Sequence, residues 1–237
     1  MRFITAALSA FAVAAASAHA APMKIVFDLD SYGDQVSDTG GWGNVRTFAS
    51  GGLVMHALSF SETGSGGALE AGRLGQWSGG LGVCNADEGA YCHDPLHKVD
   101  NVGADDWVLF WFEHEVEFEK MLVDPSGYHD RDASFHVGNV SDMFALAGLD
   151  PSFLGPKYDS YASASSYSYW HDLQDLTGNA ILFGAHSDGE GKKDKDDDRF
   201  KIKKLKVTYD PHKVSEPAPI ALLGLGLVGL AIARRRR

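Results

Sequence analysis

The residues of this 237-residue chain best equipped for chemistry are carboxylates. Asp100, Asp105 and Asp106 crowd the segment VDNVGADDW, and side-chain oxygens this close could serve calcium, an ion that takes six to eight of them. The competing and expected role is structural. Asp100 and Asn101 before Gly103 suit an Asx-type turn, in which short polar side chains bond nearby backbone amides. Glu113, Glu115, Glu117 and Glu119 alternate with apolar residues. Such a row could gather a cation or supply the acid pair of a glycosidase, but it reads first as the solvated face of a strand.

Cys84 and Cys92, in VCNADEGAYC, are the only cysteines. In an oxidising compartment they are expected to form a disulfide, and closing so short a loop would add about 2 to 3 kcal/mol in the chain-entropy model. A zinc set with His93 and His97 is the rival, but it lacks C-x-x-C spacing. Three further stretches read as surface: the charged turn His129, Asp130, Arg131, Asp132; the Asp- and Lys-rich loop from Asp188 to Arg199; and the Ser- and Tyr-rich segment from Tyr158 to Trp170. The last could stack against sugars or simply adapt to the surface. No G-x-S-x-G, H-E-x-x-H or Cys–His nucleophile is present, so no catalytic residue is assigned and no enzyme activity is expected. Calcium is the one cofactor the residues leave room for.

The two ends are addresses. Met1 and Arg2 lead into an Ala-rich apolar stretch, and Ala18 and Ala20 frame a cleavage site before Ala21, the pattern of a secretory signal peptide. At the other end an apolar run from Ala218 to Ala233 is closed by Arg234, Arg235, Arg236 and Arg237. As a helix it would be about 24 Å long, just able to cross a hydrocarbon core of about 30 Å with snorkelling arginines. Terminal arginines favour the cytoplasmic side. Gly224, Gly226 and Gly229 spell G-x-G-x-x-G, but inside this apolar run there is no βαβ context for a nucleotide.

Between the ends, residues 21–213 form one expected domain, flanked by the signal at 1–20 and the tail at 214–237. Alternating and β-branched runs recur at Lys24–Asp30, Gly52–Phe60, Ala68–Trp77, Trp107–Phe118, Ala133–Val137, Ala180–Ala185 and Phe200–Tyr209, separated by Gly- and Asp-rich punctuation. The spacing predicts an all-β fold, a single β-sandwich of the jelly-roll kind. The net charge is −11, and loss of the arginine tail makes the body more acidic still. That argues against nucleic acid or anionic lipid as a partner.

The C-terminal stretch VSEPAPIALLGLGLVGLAIARRRR resembles the PEP-CTERM sorting signal of Gram-negative bacteria. Ser215, Glu216 and Pro217 occupy the motif, with serine where a first proline is usual, followed by the helix and arginine cluster. The resemblance implies processing by an exosortase, a membrane-embedded cysteine-type transpeptidase. The protein would be an inner-membrane intermediate before reaching the cell surface or an exopolysaccharide matrix, with signal peptidase acting at the other end. The body resembles exosortase-dependent surface proteins through Leu81, Gly82, Val83, His97, Val99, Asp100, Asn101, Gly103, Asp106, Phe110 and Phe112, and again through Phe183, Gly184, Ala185, Phe200 and Lys201. The family brings no catalytic residue. A structural or adhesive matrix protein is therefore expected, with a carbohydrate-binding module, calcium-dependent or not, as the alternative and a secreted hydrolase third.

Overall fold

The computed structural model describes residues 21–31, 33–62, 67–88, 97–125, 127–186 and 198–211. Among these the chain forms thirteen strands: β1 (Met23–Asp28), β2 (Gln35–Asp38), β3 (Arg46–Ser50), β4 (Leu53–Ser61), β5 (Glu70–Ala71), β6 (Arg73–Trp77), β7 (Gly80–Cys84), β8 (Val99–Asp100), β9 (Asp106–Pro125), β10 (Ala133–Gly138), β11 (Lys157–Ser160), β12 (Tyr169–Ala185) and β13 (Arg199–Tyr209). Two single 3-10 turns, Ala86–Glu88 and Pro151–Leu154, complete the regular structure. The fold is all-β, and every strand ladder is antiparallel.

β9 and β12 pair along their whole lengths, Tyr169 opposite Val123 at one end and Gly184 opposite Trp107 at the other. Their partners change midway. The first half of β9 pairs with β4, from Asp106 opposite Ser61 to Phe112 opposite Met55. The second half pairs with β13, from Glu117 opposite Thr208 to Pro125 opposite Phe200. Each half therefore belongs to a different layer. The rings of His171 and Phe183, both in β12, have centroids 5.7 Å apart, whereas twelve residues of straight strand would separate them by about 40 Å. Phe112 and Phe118 of β9 likewise approach to 6.0 Å.

The bend in β12 has a local cause. The register with β9 shifts between Asp172 and Leu176 and again between Gly178 and Ala180, and Gln174 and Asp175 take the left-handed conformation at φ 61° and 53°. Such bulges add a residue to one strand and turn it sharply. All thirteen strands join one continuous ladder, folded over on itself into two facing layers. Between its layers lies the main core, in which Phe27, Phe110, Phe112, Phe118, Phe135, Phe183 and Phe200 are buried.

Val108, Phe110 and Phe112 face this core as the alternation predicts, but their odd-numbered neighbours are not wet. Trp107 and Leu109 are buried with Leu58, Phe60 and Leu182 beneath Val140, Leu146 and Leu154. The segment from Val140 to Leu154, which holds none of the alternating runs, thus supplies the cover for the outer face. The Leu81-Gly82-Val83 stretch lies in β7, a strand buried at every position. Its glycines permit the close approach: a Cβ on Gly82 would stand 2.2 Å from the His97 carbonyl oxygen.

Phe183 touches both layers through Phe135 and Phe200. Phe183→Ala is expected to lower the unfolding free energy by about 3 to 5 kcal/mol, read from urea denaturation. A loss below about 1 kcal/mol would mean the layers do not meet there.

Candidate functional site

The fold gathers one constellation that linear spacing conceals. Asp130 and Asp132 flank Arg131 just before β10, and Asp198 precedes β13. One oxygen from each of the three carboxylates lies within 4.8 Å of the others. Alternation puts Asp130 and Asp132 on one side and Arg131 on the other. Asp198 arrives through main-chain pairing, since the Arg199 amide donates to the Asp130 carbonyl at 3.3 Å. Asp198 Oδ1 accepts from the Asp132 amide at 2.9 Å, and its Oδ2 accepts from Asn101 Nδ2 at 3.1 Å. Asp132 Oδ1 accepts from the Ala162 amide. Four segments, those of Asn101, Asp132, Ala162 and Asp198, are thereby stapled through carboxylates, and a divalent cation would draw on the same oxygens.

Arg131 is buried on the opposite side of this staple. Its Nε reaches the Ser163 carbonyl at 3.2 Å and its Nη1 the Tyr167 carbonyl at 2.6 Å, while the guanidinium lies 5.1 Å from the Tyr169 ring centroid. The Ser165 amide donates to the His129 carbonyl at 3.1 Å. The Ser/Tyr segment is thus tied down along its length, and part of it is regular: β11 and the start of β12 fall within it.

The three calcium candidates named from the sequence do not share one site. Asp100 performs the expected turn, its Oδ1 accepting from the Val102 amide at 3.0 Å. Asn101 departs from it and spans to Asp198 and to the His186 carbonyl at 3.0 Å. Asp106 is fully buried, with Oδ1 accepting from Asn85 Nδ2 at 3.1 Å. Burial, reinforced by the Asp100 and Glu88 charges, holds its carboxyl well above the usual range. Burial likewise pushes Glu88 up to about 7, with Asp100 adding to it. Asp105 acts elsewhere. Its charge falls on Glu62, which burial raises to about 7 and which accepts from Trp107 Nε1 at 2.8 Å.

The glutamate row also divides. Glu113 and Glu115 are exposed, but Glu119 is buried. It accepts from Lys206 at 2.6 Å and Lys24 at 3.0 Å. Hydrogen bonds from Lys206, Thr208 and Lys24 outweigh its desolvation and hold its carboxyl at about 2. The cause is the register shift of β13 against β9 between Lys206 and Val207, which turns Glu119 towards the β1–β13 edge. Alternation alone could not show this.

The His97 ring lies against that of Trp77, tilted by 35° with centroids 4.3 Å apart. Cys84 ends β7 in a buried position, and no cysteine among the described residues is free. Cys92 and His93 lie outside those residues, as do Ala18, Ala20, Ser215, Glu216, Pro217 and Arg234 to Arg237; Ala21 is exposed. Among the described residues no helix is long and apolar enough to cross a membrane, and the run from Ala218 to Ala233 falls outside them.

With this geometry in place, the comparisons add one finding. Residues 213–237 match the PEP-CTERM protein-sorting motif. The chain carries that motif, which implies an exported protein, transiently membrane-anchored and processed by an exosortase. No curated protein and no solved structure matches the chain.

Two expectations follow from the carboxylates. Asp106 keeps a proton in the folded state at pH values where the unfolded chain has lost it, so its contribution to stability falls as pH rises above the ordinary aspartate value of about 3.9. Asp106→Asn should therefore melt above the parent at pH 8, with the difference shrinking towards pH 4; equal melting at both values would contradict the assignment. Asp198→Ala removes two charge-assisted bonds and should cost about 2 to 4 kcal/mol in calcium-free buffer. Thermal melts with and without millimolar calcium show whether the staple also binds metal, because ligand binding to the folded state alone raises the midpoint.

Proposed function

We propose that this protein is an exported, exosortase-processed component of the cell surface or exopolysaccharide matrix, with a structural or adhesive role and no catalysis. The observation that carries the proposal is the sorting motif at residues 213–237. Ser215, Glu216 and Pro217 would be read by the processing enzyme, while the apolar run holds the chain in the inner membrane with Arg234 to Arg237 on the cytoplasmic side. Cutting near the motif would free an acidic β body on the outer side. There Cys84 and Cys92 would close the turn that follows β7.

The body supports the same reading. Its layers are filled by phenylalanines, and among the described residues Asp132, Asp198 and Glu119 serve as loop staples and ion pairs. A carbohydrate-binding role is the second reading, favoured by the tied Ser/Tyr segment with its exposed rings.

Replacing Glu216 and Pro217 together by Ala should leave uncleaved protein in the inner membrane, measured by fractionation and intact mass. The parent recovered from the cell surface should begin at Ala21, end near Ser215 to Pro217, and gain two hydrogens on reduction. A mass still including Arg237, or normal release of the double variant, would overturn the sorting account. An unchanged mass on reduction would overturn the disulfide alone.

A further inference from the structure

We infer that the end of the fold formed by residues 127–132 and 161–170 is a binding face for an uncharged polysaccharide, contacted by Tyr128, Tyr161, Tyr167 and Trp170. The inference deepens the adhesive reading above and rests on the body being displayed outside the cell. Tyr128 is 76% exposed, Tyr161 64%, Tyr167 79% and Trp170 40%. Rings this large are normally drawn inward, and here the chain holds them out by construction. Arg131, itself 7% exposed, takes the carbonyls of Ser163 and Tyr167. Asp132 holds the Ala162 amide, Ser168 Oγ donates to Asp124 Oδ1 at 2.7 Å, and His129 pairs with Ser165. The buried cation and the carboxylate staple fix the backbone while the rings between these anchors face water. A segment ordered in advance loses little entropy on binding.

The composition points to the occupant. Tyrosine and tryptophan interleaved with serine supply flat apolar faces beside short hydroxyls, a combination suited to amphipathic ligands. A pyranose presents the matching surfaces: axial C–H groups for a ring face and equatorial hydroxyls for Ser and Asp oxygens. A lipid surface would call for aliphatic residues and cations, whereas the segment 158–170 has no Leu, Ile, Val, Met, Lys or Arg. Charge narrows the class further. Asp130 and Asp132 lie within these segments, Asp124 accepts from Ser168 and pairs with Lys203 at 3.6 Å, and the whole chain carries −11, so a polyanion would be repelled.

The test is affinity electrophoresis of the detergent-solubilised full chain through gels containing hydroxyethylcellulose, galactomannan or dextran, with alginate as the polyanion. Retardation by at least one neutral polymer and none by alginate is expected. Tyr128→Ala with Tyr167→Ala should weaken retention about tenfold or more at an unchanged melting temperature, since each ring face contributes a substantial share of such contacts. Tyr128→Phe with Tyr167→Phe should keep most of it. Arg131→Lys keeps every aromatic residue but cannot hold both carbonyls, and should also weaken retention. The inference is overturned if no neutral polymer retards the protein, if the double Ala variant is retarded like the parent, or if alginate retards it equally well. Purified protein is used throughout, so failure here leaves the sorting account standing, and failure of sorting leaves these gels unchanged.

Discussion

Everything in this fold depends on two strands being bent. A straight strand of 20 residues, the length of β9, would reach about 66 Å, while a domain of this size has a radius of gyration near 16 Å. Such strands can be kept only if they pass from one layer to the other. The bulges at Asp172–Leu176 and Gly178–Ala180 accomplish this in β12, and the rings of His171 and Phe183 meet across the core as a result. The apolar alternation supplies the drive to close the fold, and the bulges set where it closes.

The bend also decides where polar groups go. Because the first half of β9 is covered on both faces, residues at its beginning cannot reach water, and Asp106 is buried beside Asn85. His171 is buried among Phe183 and Phe200, and desolvation lowers it to about 4. These two groups work in opposite senses. A neutral buried histidine contributes stability that is complete above its ordinary value of about 6.5 and lost as pH falls towards 4. The protonated Asp106 favours the acidic side, so over the interval between about 4 and 6.5 the two contributions oppose each other.

What was legible in the sequence follows the range of the interaction. The apolar face of Val108, Phe110 and Phe112 was readable because alternation is local. The Asp100 turn was readable for the same reason, since its side chain bonds an amide two residues away. Glu119 was not, because its position depends on a register shift in β13, about 85 residues further on. The Asp130–Asp132–Asp198 staple was half visible: two aspartates two positions apart share a strand face, but nothing local announces Asp198. β7 was absent from the alternating runs because its glycines carry no side-chain pattern; they admit neighbouring backbone instead. The low-complexity look of 158–170 concealed a segment whose order comes from Arg131, thirty or so residues earlier.

The same distinction separates the two ends of the protein's career. The sorting motif is a continuous peptide, so it is legible in residues 213–237 whatever the body looks like. The tyrosine-rich surface proposed above is instead assembled by the fold, and Arg131 is the buried cation that ties its segments together. Its main-chain amide and its side chain face opposite ways, the amide donating to Asp130 Oδ1 at 2.8 Å and the guanidinium reaching into the tyrosine segment. The acidic staple and the aromatic face are therefore mechanically one unit. A change that loosens Asp198 from Asp132 would be felt at Tyr167, although the two lie on different segments and share no direct bond.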